Sequence, residues 1–196
     1  APVNARTALI CTIAMLALSL GGCAGEEAPD AGPVRLDDVE VFEYEGERLD
    51  SPDDFRENSI AGPQDVDVDE YRLRVTGLVD DPAEYTHSEV TSGFPAYEKV
   101  VQLDCVEGWS ARVLWGGVLV RDILDESGVQ DSARSVVFRA VDGYTTSFPV
   151  EYLYDNDIIL AYSMNDEILR PERGFPFQVV AEDKWGYKWC KWVVGI

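Results

Sequence analysis

The run Val100-Val-Gln-Leu-Asp-Cys-Val-Glu-Gly-Trp109 carries the residues best suited to chemistry. Alternate residues of an extended strand share a face, so Val101, Leu103, Cys105 and Glu107 are expected on one side. A thiol and a carboxylate ending an otherwise apolar face form a candidate metal or redox site, and Gly108 can turn the chain beyond them. A second reading gives these residues no chemistry: free cysteine packs as a small apolar core residue, and the glutamate is solvated in a turn. The other chemically loaded run is Lys184-Trp-Gly-Tyr-Lys-Trp-Cys-Lys-Trp192. Its alternation predicts a strand with Trp185, Tyr187, Trp189 and Lys191 on one face and Gly186, Lys188 and Cys190 on the other. Three readings fit: a base-stacking platform, a central strand burying its aromatics, or an anion site at Lys188 and Lys191. Lysine otherwise occurs only at Lys99 and Lys184, which makes the pair conspicuous.

A net charge of −21 weighs against the base-stacking platform, because nucleic acid attracts basic surfaces. Charge of this size bears on solubility and partners rather than on fold. The acidic surface, with arginine outnumbering lysine, suits a saline habitat and equally an ordinary secreted protein. Hydrophobic content of 46% with 11% aromatic belongs to a globular chain, and this length allows one domain with a sizeable core.

Positions 1–22 read as an export signal. Ala8 to Leu20 is apolar, follows Arg6, and falls short of the ~20 apolar residues that span a bilayer. Leu20-Gly-Gly-Cys23 resembles a bacterial lipoprotein box, which implies cleavage before Cys23 and lipidation of its sulfur. The other reading is an ordinary signal peptide with an incidental cysteine. Residues 23–35 are small, acidic and proline-bearing, as a flexible tether would be. The folded domain is then 36–196, outside the cytoplasm and held to a membrane. Cys11 leaves with the signal and Cys23 carries lipid, so Cys105 and Cys190 remain. An oxidising compartment invites those two into a disulfide.

Short elements must position these residues. Val39 to Tyr44, Tyr71 to Val75, Ser135 to Val141, Ile158 to Tyr162 and Phe177 to Val180 read as strands. Ser51-Pro52 opens a helical turn, and Thr86 to Glu89 is a capping box. Val118 to Glu126 reads as a helix, Pro149 opens a turn through Leu153, Asn58 to Gln64 is a loop, and Asp142-Gly143 is a turn. Strands dominate and helices are short, which predicts an α+β, β-rich single domain.

Four stretches together resemble the sulfite-oxidase-type molybdopterin-binding domain family, nearest to the bacterial branch that includes the catalytic subunit of protein-methionine-sulfoxide reductase. They are Phe55-Arg-Glu-Asn-Ser-Ile60, Tyr71-Arg-Leu-Arg-Val-Thr-Gly77, Leu103-Asp-Cys-Val-Glu-Gly-Trp109, and Gly174-Phe-Pro-Phe177 with Trp185 to Trp192. They occur in the family's order and span nearly all of Leu36 to Ile196. The resemblance implies that family's mixed-sheet fold and a molybdenum–molybdopterin cofactor, with Cys105 as the thiolate ligand to the metal. It places Glu107 and Asn58 at the metal's open side, with Glu107 able to relay a proton. It places Asn58, Ala61, Gly62, Ala140, Arg173, Gln178, Trp189, Cys190 and Lys191 around the pterin and its phosphate. Relatives usually carry a polar residue and an arginine where Arg173 and Gln178 stand.

The function so implied is an extracytoplasmic, lipid-anchored oxidoreductase. It would transfer an oxygen atom or two electrons to or from a small oxo-substrate, sulfoxide-like or sulfite-like. A cytochrome or another electron carrier is its expected partner, and nucleic acid is not. The alternative is an exported, cofactor-free binding or structural lipoprotein of the same fold, with Cys105 bridged to Cys190.

Overall fold

Alternating and continuous apolar runs have become three sheets in the computed structural model, which describes residues 40–196. The readings of an export signal, a lipidated Cys23 and a tether fall outside the described residues. The described part opens on a small hairpin, β1 (Glu43–Tyr44) and β2 (Glu47–Arg48). A 3-10 turn at Pro52–Asp54 follows, with Ser51 accepting a hydrogen bond from the Asp53 amide. Strands β3 (Leu73–Val75) and β4 (Ala83–Tyr85) lead into helix α1 (His87–Gly93). Thr86 and Glu89 form the anticipated capping box there. Each satisfies a backbone donor that the first helical turn leaves open.

The longest hairpin is β5 (Ala96–Asp104) with β6 (Ser110–Leu119), in register from Ala96–Val118 to Asp104–Ser110. Helix α2 (Val120–Glu126) continues directly from β6. The predicted helix at Val118 therefore starts two residues late, because Val118 and Leu119 pair with β9 (Ile159–Met164). Between them come β7 (Ser135–Ala140), β8 (Thr145–Pro149) and helix α3 (Val150–Asp155). The chain closes with β10 (Glu167–Ile168), β11 (Gln178–Val180) and β12 (Val193–Gly195). One sheet runs β10-β9-β6-β5, with β11 also on β9; the other runs β4-β3-β12-β7-β8. Only the β12–β3 pairing is parallel among these ladders. The described residues are β-rich, with mixed sheets and three short helices. Among the described residues no helix is long and apolar enough to cross a membrane.

Two glycines let the first sheet close. A Cβ on Gly117 would lie 2.2 Å from the Leu160 carbonyl oxygen, and one on Gly116 would lie 2.3 Å from Ser163 Oγ. The β6–β9 register shifts between these two positions, as a bulge does when it re-aims a side chain. Trp115, just before the shift, is fully buried and donates from Nε1 to the Val101 carbonyl at 3.3 Å.

The C-terminal run departs from its expected strand. Gly186–Lys188 is a 3-10 turn, closed by Lys188 N–H to Trp185 O at 2.8 Å and Trp189 N–H to Gly186 O at 3.0 Å. Regular pairing resumes only at β12. Trp185 and Tyr187 are exposed while Trp189 and Cys190 are both buried, so the two-residue alternation is broken. Gly186 is the physical reason: a Cβ there would sit 3.3 Å from Leu103 Cδ2 and 3.8 Å from the Cys105 Cα. The turn packs its backbone against the end of β5, where Trp185 bridges Asp104.

Candidate active site

Strands β5, β6, β9 and β11 and the surrounding loops line a cavity of about 340 Å³. Cys105 lies in its wall. It is the first residue of the connection between β5 and β6, where its N–H donates to Trp109 O at 2.8 Å and its carbonyl accepts from Gly108 at 3.0 Å. Gly108 takes φ +85°, a left-handed conformation that glycine adopts without a Cβ clash. Val101, Leu103 and Cys105 share a buried face as expected. Glu107 does not join them, which corrects the expectation for that residue. The strand stops at Asp104 and the chain turns, so Glu107 is exposed, accepts from Trp109 Nε1 at 3.4 Å, and does not line the cavity.

Asn58 reaches the thiol from the 58–64 loop, its Nδ2 lying 3.7 Å from Cys105 Sγ. The same loop contributes Ser59 and Ile60 to the wall, whereas Ala61 and Gly62 lie beyond it. Ser59 Oγ is buried without a hydrogen-bond partner.

The part of the wall beside this segment is cationic. Arg173 ends a 3-10 turn, Pro171–Arg173, that stops at left-handed Gly174. A Cβ on Gly174 would lie 3.1 Å from the Cβ atoms of both Gln178 and Lys191, so glycine draws those two side chains together. Arg173 is 8% exposed and donates from Nη2 to Phe55 O at 2.9 Å. Its Nε is buried with no partner. Lys191 Nζ donates to Glu57 Oε1 at 3.2 Å and to Glu172 O at 2.9 Å. Burial pulls both cations below their ordinary pKa values, while Glu57 acts in the opposite direction on Lys191. Gln178 is buried beside them.

Trp189 and Trp115 complete the apolar wall, with ring centroids 5.4 Å apart. Lys188 is turned away, its Nζ bonded to Ser147 O and lying over the Phe148 ring. An anion site made by both Lys188 and Lys191 is therefore not formed. Ala140 is buried at the end of β7 and does not line the cavity. The turn that follows it does, through Asp142 and Tyr144. Asp142 Oδ1 accepts from the Tyr144 amide at 2.9 Å, and the Tyr144 hydroxyl donates to the Tyr187 carbonyl. Reading Asp142-Gly143 only as a turn missed this carboxylate. The signal was an acidic residue at a hairpin tip, but the pairing of β7 with β12 was needed to aim it.

Cys190 does not line the cavity either. It is fully buried, its Sγ lies 3.7 Å from the Lys191 carbonyl, and burial pushes its thiol up to about 12. Cys105 and Cys190 are both free thiols, which corrects the disulfide-bridged alternative. The Cys190 backbone carbonyl accepts from Val179, and its side chain packs in the core. Among the described residues no three His, Cys, Asp or Glu side chains converge into a metal cage. A metal at Cys105 would need most of its ligands from a bound group.

Residues 60–196 match the family described as the oxidoreductase molybdopterin binding domain. The chain is 37% identical over 135 residues to the uncharacterized oxidoreductase YuiH of Bacillus subtilis (strain 168), covering 68% of each. It is 33% identical over 130 residues to YedZ1 of Azospira oryzae, a proposed protein-methionine-sulfoxide reductase subunit; the match covers 66% of this chain and 49% of that one. Its fold is similar to the crystal structure of the sulfane dehydrogenase SoxCD from Paracoccus pantotrophus. The TM-score is 0.65 at 26% identity, covering 69% of this chain and 39% of that one.

Proposed function

We propose that this chain, which belongs to the oxidoreductase molybdopterin-binding domain family, transfers an oxygen atom or two electrons to or from a small neutral oxo-substrate of the sulfoxide type. The family supplies the reaction class and the molybdenum–molybdopterin cofactor. The residues present fit that group. Cys105 offers one soft sulfur donor, which suits a sulfur-ligated metal once deprotonated. Arg173 and Lys191 offer two buried cations for an anionic ligand, and the unpartnered Arg173 Nε and Ser59 Oγ leave polar capacity unused. When bound, the cofactor supplies the oxygen-atom donor or acceptor and the two-electron redox couple.

The chain's own residues bind, orient and enclose. Asn58 Nδ2 donates toward Cys105 Sγ and fixes the direction of its lone pairs. Arg173 and Lys191 would hold the anionic end. Trp115 and Trp189 exclude water from the inner wall. Asp142 is the carboxylate at the cavity and is the candidate proton carrier there.

The cavity mouth carries the substrate reading. Ile60, Val106 and Tyr187 line it and are 68%, 64% and 60% exposed. A neutral molecule with apolar substituents enters such a rim with little loss of hydration. Sulfite or another oxyanion must approach a chain of net charge −21 and shed its water there. Lys191 and Arg173, the buried cations in the wall, are already bonded to Glu57 and to the Phe55 carbonyl, which leaves only the exposed Arg56 at the cavity for such an ion.

Protein prepared in a molybdenum-competent host tests this. Stoichiometric molybdenum is expected in the wild type and not in Cys105→Ser. A dialkyl sulfoxide should be reduced with an artificial electron donor, and faster than sulfite is oxidised. Metal-free wild type, or faster sulfite turnover, refutes the reading. Export and a lipid on Cys23 belong to the same proposal, supported by the apolar run and Leu20-Gly-Gly-Cys23. Cys23→Ala should move the protein from the membrane fraction to the soluble one. The electron partner proposed is a carrier with a basic docking face, a cytochrome foremost, because the acidic chain attracts one.

A further inference from the structure

We infer that Glu57 is a placeholder for the anionic end of the cofactor: it holds Lys191 until a phosphate-bearing ligand arrives, and the exchange frees the 55–60 segment that carries Asn58. This inference rests on the reading of the cavity as a molybdopterin site.

Lys191 and Glu57 are both poorly exposed, at 17% and 26% of their side chains. A buried ammonium without a partner is strongly unfavourable, so an empty cavity requires a carboxylate near it. Glu57 is the carboxylate bonded to Lys191. The neighbouring Glu172 gives Lys191 only its backbone carbonyl, and its carboxylate lies 3.8 Å from Arg170 instead. Arg173 adds a second cation whose Nε has no partner. Within this buried cluster two cations and one carboxylate leave a single positive charge; exposed Arg56 and half-buried Asp142 line the cavity outside it.

A phosphate monoester brings about −1.5 to −2 charges at neutral pH. It balances Arg173 and Lys191 if Glu57 withdraws. If Glu57 stays, the cluster becomes negative and two anions compete for one ammonium. The same charge arithmetic that holds Glu57 in the empty cavity therefore expels it from the filled one.

Glu57 is not isolated in the chain. It lies between Arg56 and Asn58, which both line the cavity, in a stretch that pairs with no strand. That stretch is held by Arg173 Nη2 on Phe55 O, by Glu57 on Lys191, and by Asn58 on Cys105 Sγ. Losing the middle tie loosens a segment that ends at the thiol. Filling of the anion end is thereby linked to access at Cys105.

The test uses the full chain without cofactor and inorganic phosphate as the probe, titrated by calorimetry. Glu57→Gln keeps the shape and removes the competing charge, and should bind phosphate about tenfold more tightly than wild type. Lys191→Met should lose the binding, and Glu57→Gln should bring no gain in that background. Thiol reactivity needs no variant: wild-type Cys105, which Asn58 touches at 3.7 Å, should react with a maleimide faster once phosphate is added. Unchanged or weaker phosphate affinity in Glu57→Gln overturns the inference, as does a Cys105 labelling rate that does not respond to phosphate. If molybdenum is absent from protein made in a competent host while phosphate behaves as expected, the cofactor reading fails and the exchange of partners stands. If molybdenum is stoichiometric and both phosphate readouts are flat, the exchange fails and the cofactor reading stands.

Discussion

Arg173→Met separates a residue kept for a ligand from one kept for the fold. Without ligand, the guanidinium contributes one charge-assisted hydrogen bond to Phe55 O at 2.9 Å; such a bond is worth about 1.5–3 kcal/mol. It also lies 5.4 Å from the Phe55 ring centroid, a contact worth about 0.5–1 kcal/mol. Against these stand the unpartnered, buried Nε, which costs about 1–3 kcal/mol, and the removal of the charge from water. The two sides nearly cancel. Methionine fills a similar volume without polar atoms, so apo Arg173→Met should unfold in urea within about 1 kcal/mol of wild type. Loading should behave differently. Losing a charge-assisted bond to an anionic ligand weakens retention by about ten- to a hundredfold, seen as molybdenum lost on dialysis. If the apo variant is destabilised by more than about 3 kcal/mol while molybdenum content is unchanged, the side chain is structural and the reasoning is wrong.

Two further outcomes follow from burial. In the folded apo protein a maleimide should label Cys105, which lines the cavity, before Cys190, which is fully buried with its thiol pushed up to about 12; cofactor should protect Cys105, and peptide mass spectrometry showing Cys190 labelled first refutes the placement. Burial against Phe175 and Phe177 holds His87 below its ordinary value of 6.5. The unfolded chain thus takes up a proton that the fold resists, and stability should fall as pH drops through the window just below that value. His87→Gln should flatten this part of the profile. A constant difference between wild-type and variant urea midpoints from about pH 7.5 to about pH 5 contradicts it.

What could be read in the sequence was local. The capping box at Thr86 and Glu89 and the Ser51-Pro52 turn depend on neighbours a few residues away, and both formed as read; of the strand read over Val39 to Tyr44 only Glu43–Tyr44 pairs among the described residues, and the C-terminal one became a turn. The ordered motifs and the cysteine within Leu103 to Trp109 also pointed to the family that residues 60–196 match. Side-chain direction near turns was not legible. Glu107 shares its parity with Cys105, but parity holds only while the chain stays extended, and hydrogen bonding between Cys105 and Trp109 ends the strand. The same limit applies to Lys188 and Lys191. Their fates diverge because Gly186 admits a turn against Leu103, a contact 83 positions away in sequence.

The residues that escaped the sequence reading show why cavity walls are harder to foresee than their single reactive atom. Asp142 and Tyr144 reach the cavity because β7 lies beside β12, and β12 in turn lies beside β3. Trp115 reaches it because two glycines shift β6 against β9. Neither placement has a local cause, so neither has a local pattern. Cys105 differs because its type alone restricts what it can do: few side chains offer a soft sulfur donor. Arg173 and Lys191 fall between these cases. Their charge was visible, but burial is what turns them into an anion site, since an exposed cation is satisfied by water and a buried one is not. That Arg173 retains an unpartnered Nε beside a buried Lys191 is hard to explain as a device of stability alone, because an apolar wall of the same shape would avoid both costs. A ligand that arrives with its own negative charge removes the difficulty, which makes the cationic wall the strongest physical argument in these residues for a bound anion.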